Sequence, residues 1–69
     1  MRIYVTYVHR FAVGDRVLFT ERRAHVKWKA EYTVVAHVEP DDLGLKYQIK
    51  STNRSHTRTA HEHELSAPE

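Results

Sequence analysis

Residues 31–51 read EYTVVAHVEPDDLGLKYQIKS, and the fold is decided here. From Glu31 to Glu39 the apolar residues recur every second position, so Tyr32, Val34, Ala36 and Val38 share one face of a strand while Thr33, Val35 and His37 share the other. Pro40-Asp41-Asp42-Leu43-Gly44 then supplies turn chemistry: proline fixes φ, aspartate bonds to its own backbone and glycine accepts a positive φ. The chain returns with Leu45, Tyr47 and Ile49 facing in and Lys46, Gln48 and Lys50 facing out. An antiparallel hairpin follows.

The same period extends outward from this hairpin. Gly14-Asp15 makes a turn before a strand over 16–19, and residues 51–55 form a polar loop before a shorter strand over 56–60. A single helical turn is expected near 62–65, with Leu65 plugging the end of the core. Residues 20–30 are charged and weakly patterned, and read as a long loop or irregular hairpin. Nowhere does the i, i+3, i+4, i+7 pattern persist over the ten or so residues an amphipathic helix needs. The class is therefore all-β: a small, strongly bent antiparallel barrel of about five strands, SH3-like or Tudor-like, with a short terminal helical turn. Residues 1–69 make one domain, in which 1–10 are an extra or edge strand and 66–69 a disordered tail. An uncovered apolar edge at Ile3 to Val8 is also a template for homodimerisation.

A chain of 69 residues buries only about 60% of the surface its unfolded form exposes, and with no cysteine neither a disulfide nor a thiolate zinc site reinforces it. The longest mostly apolar stretch, 32–38, is far short of the roughly 20 residues of a membrane helix. The opening residues alternate and lack the apolar run of a signal peptide. A soluble, cytoplasmic protein is expected.

Net charge is only +2, but the charges come in blocks: 1–29 hold seven Lys/Arg and two acids, 30–45 four acids, 46–59 four bases, and 60–69 three acids. Folding can gather such blocks into a bipolar surface or interleave them.

Three chemistries are candidates. His61 and His63, two apart, would share a strand face and with His56 or His37 could approach a metal, but no recognised ligand spacing supports this. Solvated histidines at a fold terminus are the simpler reading, and no metal or cofactor is expected. Catalysis has little to stand on, because Asp15, Asp41 and Asp42 read as turn residues and so small a barrel encloses little space. The chain reads as non-enzymatic, a binding or adaptor module.

The sharpest specific reading is nucleic-acid binding. Arg22, Arg23, Lys27 and Lys29 surround the single tryptophan, Trp28, so a ring that can stack on a base lies among cations that can meet phosphates, with Lys50 and Arg58 as supporting charges. A protein partner is the rival, for which Phe19, Trp28, Tyr32 and Tyr47 could line a groove.

The pattern Phe11-x-x-Gly14-Asp15-Arg16-Val17, Tyr47-x-Ile49-Lys50-Ser51, His56-x-Arg58 and Glu62-x-Glu64-Leu65 resembles a family of short bacterial proteins of uncharacterised function. The resemblance covers about residues 11–65 and implies a small β-barrel with no established activity. Thr59, His61 and His63 depart from it.

Overall fold

The computed structural model describes residues 8–53 and 55–68. They form one antiparallel sheet of five strands: β1 Arg16–Arg23, β2 Val26–Asp41, β3 Gly44–Ser51, β4 Thr57–His61 and β5 Leu65–Ser66, ordered β4-β3-β2-β1-β5. A 3-10 turn, Glu62–Glu64, joins β4 to β5 at the place expected of a helical turn. Among the described residues no helix is long and apolar enough to cross a membrane. The expected N-terminal strand and the homodimer built on it lie largely outside the described residues.

One inward face carries the core: Phe11, Val17, Phe19, Tyr32, Val34, Tyr47, Ile49, Ala60 and Leu65. Alternation puts them there, because Val17 opposes Tyr32, Val34 opposes Ile49, Tyr47 opposes Ala60 and Phe19 opposes Leu65. Leu65 closes the core as expected.

The sheet is sharply curled. In a flat sheet the β4 edge and β5 would lie about 19 Å apart, four strand spacings. A 3-10 turn of three residues rises only about 6 Å. The chain can pass from one edge to the other in so few residues only if the edges approach each other.

Three expectations need correction and a fourth is narrowed. Ala36 and Val38 do not continue the inward row of Tyr32 and Val34, because a bulge at Val35 leaves Val34 opposite Ile49 but Ala36 opposite Gln48. The extra residue reverses the pairing, so His37 now opposes Tyr47, while Ala36 and Val38 stay half-buried and His37 is exposed. Of the long loop or irregular hairpin expected over residues 20–30, a hairpin forms, and its pairing is regular: β1 runs on past Phe19 to Arg23, which pairs with Val26 across a two-residue turn of Ala24 and His25. The last long strand begins at Thr57 and ends at His61, one residue later than expected. Ser66, expected to open a disordered tail, pairs with Leu18.

Candidate functional site

The β1–β2 hairpin extends beyond the core, and all residues from Arg22 to Lys29 are exposed. Opposed residues share a face, so the register assigns each side chain. Continuing the core face past Phe19 and Ala30 come Glu21 with Trp28, then Arg23 with Val26. The outer face carries Thr20 with Lys29 and Arg22 with Lys27. Farther along that face Arg16 opposes Thr33, which opposes Lys50, which opposes Thr57.

The sequence-based candidates therefore divide. Arg22, Lys27, Lys29 and Lys50 gather on the outer face, joined by Arg16, which composition alone did not single out. Trp28, Arg23 and Arg58 belong to the inner side. Glu31 is the acid among these outer-face positions, and Arg16 lies 4.0 Å from it. The other acids of β2, Glu39 and Asp41, lie at the far end of this 16-residue strand, beside Asp42 in the turn. There His61 Nε2, 3.0 Å from the Asp41 carboxylate, ties that turn to the 3-10 turn with its Glu62 and Glu64. The charge blocks thus resolve into a basic hairpin end and an acidic turn end.

On the inner side, a cleft of about 570 Å³ opens between the hairpin and the β3–β4 loop. Glu21, Trp28, Tyr32, Asn53, His56 and Arg58 line it. Its floor is a polar network. Arg58 Nη1 donates to both Glu21 oxygens, at 2.9 and 3.1 Å, while its guanidinium lies over the Phe19 ring, 4.2 Å from the centroid. The Tyr32 hydroxyl donates to Glu21 at 2.5 Å, which leaves its oxygen to accept from His56 Nε2 at 3.3 Å.

That network fixes charge states. The Tyr32 bond, then that of Arg58, holds Glu21 below the usual carboxylate range, and burial followed by the bond to Glu21 pushes the Tyr32 hydroxyl up. Glu21 is an anion matched by Arg58, while the cleft's other carboxylate, Glu31, lies 4.0 Å from Arg16, and Lys29 also lines the opening. Trp28, 44% exposed, stands above the cleft floor.

The sequence reading missed Glu21, Asn53 and His56 as members of this cleft. Glu21 and Arg58 are 37 residues apart, and only the curl of the sheet brings β4 against β1.

A second cluster sits at the opposite end. His9 stacks on His37 at 4.0 Å between ring centroids, with His9 Nε2 donating to the Lys46 carbonyl at 3.2 Å and His37 Nε2 to the Phe11 carbonyl at 2.7 Å. The Tyr47 hydroxyl donates to Glu62 and accepts from the Phe11 amide. These bonds pin the segment entering β1 across the core and leave the imidazoles engaged with backbone. Among the described residues no three His, Asp or Glu side chains gather in a way that could hold a metal ion.

No family model, curated protein or solved structure matches the chain.

Proposed function

We propose that this chain is a small, non-enzymatic binding module of the SH3-like kind, and that the β1–β2 hairpin holds nucleic acid. The SH3-like assignment draws support from the strand order, in which a 3-10 turn precedes a two-residue β5 that pairs back onto β1. The observation that carries the nucleic-acid reading is the outer face itself. Arg16, Arg22, Lys27, Lys29 and Lys50 lie on one side of the sheet, while most acids lie at the other end of β2.

Phosphate neutralisation by such a face releases counterions, so affinity falls linearly with salt on logarithmic axes, by about 0.7 per contacted phosphate on single strands and about 0.9 on duplex. Engagement of all five cations with a single strand predicts a slope of about −3.5. The test is a titration of labelled oligonucleotides, followed by anisotropy at several salt concentrations, with the wild type and the K27E/K29E variant. Steep salt dependence that becomes shallower in the variant supports the reading. Absence of binding at low salt overturns it and transfers the hairpin to a protein partner.

A further inference from the structure

We infer that the nucleic acid taken by this hairpin is single-stranded, with an unpaired base stacked on Trp28 at the mouth of the inner cleft. This rests on the hairpin reading above and adds to it a substrate class and a second surface.

Strand geometry supplies the first argument. Along β2, Lys27 and Lys29 project to the outer face and Trp28 between them projects to the inner one. β3 begins to pair with β2 only at Tyr32, and at Glu31 the carbonyl accepts from the Thr52 amide and hydroxyl, so among the described residues no strand covers the other edge of 26–30. A single strand following that edge can set its phosphates against Lys27 and Lys29 while a base turns around the edge onto the indole. A duplex offers no base face to such a site unless a base is first unstacked, which is unfavourable.

The cleft supplies the second. Trp28 is a large aromatic ring left 44% exposed on the same face as the core, beyond its last pair, Phe19 with Ala30. Beneath it lie the Tyr32 and His56 rings, mutually edge-on with centroids 5.9 Å apart. The volume, about 570 Å³, lies within the range of small-ligand sites and suits a base with its sugar. Charge supplies the third. Glu21 is answered by Arg58 and Tyr32, the other lining carboxylate, Glu31, lies 4.0 Å from Arg16, Lys29 adds a cation at the rim, and Asn53 adds an amide able to donate to and accept from a base edge. A stacking platform beside a cationic edge is the arrangement by which proteins hold single strands with little sequence preference.

The full-length chain tests this with an oligonucleotide of about ten nucleotides, within the site sizes of single-strand-binding barrels, offered as a single strand and as a duplex at the same salt. Trp28 is the sole tryptophan, so its fluorescence reports on the site alone. The single strand is expected to quench it and the duplex to leave it largely unchanged. Trp28→Ala is expected to weaken single-strand binding about 5- to 150-fold, the effect of losing one stacked base, with Trp28→Phe recovering part of the loss. Duplex affinity is expected to be the same in both variants, whereas K27E/K29E weakens both forms. Far-ultraviolet circular dichroism checks that each variant is folded. If both nucleic acids bind but Trp28 is not quenched and Trp28→Ala matches wild type, the inference is overturned and the phosphate-binding reading stands. If polyglutamate competes as well as the single strand, the hairpin is a general polyanion site and the inference again fails. If neither nucleic acid binds, the hairpin reading itself falls.

Discussion

His61 lies between two carboxylates, its Nε2 3.0 Å from Asp41 and its Nδ1 3.3 Å from Glu64, and only the doubly protonated ring can donate to both. The bond to Asp41, with that to Glu64 behind it, lifts the imidazole above its ordinary 6.5, and the same His61 bond, helped by the Leu43 amide, lowers Asp41 below 3.8. A histidine raised on folding contributes stability that is complete below its unfolded value and lost as pH rises through the folded one. A lowered aspartate contributes stability that is complete above its unfolded value and lost as pH falls through the folded one. The pair is therefore at full strength between about pH 4 and 6.5. His61→Asn is expected to be less stable than wild type inside this window, and the difference to shrink as pH is raised above 6.5. Urea midpoints measured for both proteins from pH 5 to about pH 9 check this; a gap that does not narrow excludes a charged His61. Sequence showed the i, i+2 histidines but not this role, because the partner Asp41 belongs to a turn 20 residues earlier.

The β1–β2 hairpin was the element least legible in the sequence, and its turn explains why. Two-residue hairpin loops favour Asn-Gly or Asp-Gly because they require positive φ, whereas this one is Ala24-His25, with Ala24 at φ 54°. A side chain in that region costs roughly 1–2 kcal/mol, and the turn leaves no compositional mark. By contrast the β2–β3 hairpin, with Gly44 at φ 117° beside its turn aspartates, could be read directly. The bulge at Val35 was invisible for another reason: an inserted residue reverses the pairing without altering composition, and only the register discloses it. Ala24→Asn is expected to raise stability by about 0.5–1 kcal/mol, since asparagine tolerates left-handed backbone better than alanine. The change touches neither the outer cations nor Trp28, so nucleic-acid affinity should stay level or rise slightly as the hairpin stiffens. Thermal and urea unfolding of the variant decide it; a lower midpoint would mean that the strain at Ala24 is negligible.

At the scale of the sheet, its outer strands are β4 and β5, and among the described residues no backbone ladder joins them. β4 and β1 are three places apart in the strand order, yet Arg58 of β4 donates twice to Glu21 of β1 and lies over Phe19 of the same strand. This bridge crosses the gap between β4 and β1, and it forms the cleft floor with Trp28 among the lining residues. One ion pair thus belongs both to the seam of the fold and to the lining of the candidate site. The side chains are 39% and 21% exposed, which sets the coupling expected in a double-mutant cycle of Arg58→Met and Glu21→Gln at about 1 kcal/mol, the upper end for pairs open to water. Methionine keeps much of the packing on Phe19, so the cycle isolates the charged bond. Glu21 is lowered on folding, so its contribution is complete above its ordinary 4.5 and fades as pH falls through the folded value. The coupling measured at pH 7 should therefore vanish in strong acid, while Arg58→Met alone should also blunt Trp28 quenching by a single strand, since the ring loses the ordered floor below it. A coupling near zero at pH 7 would show that the curl is held by the 3-10 turn and the core alone, and that the cleft keeps its shape without the bridge.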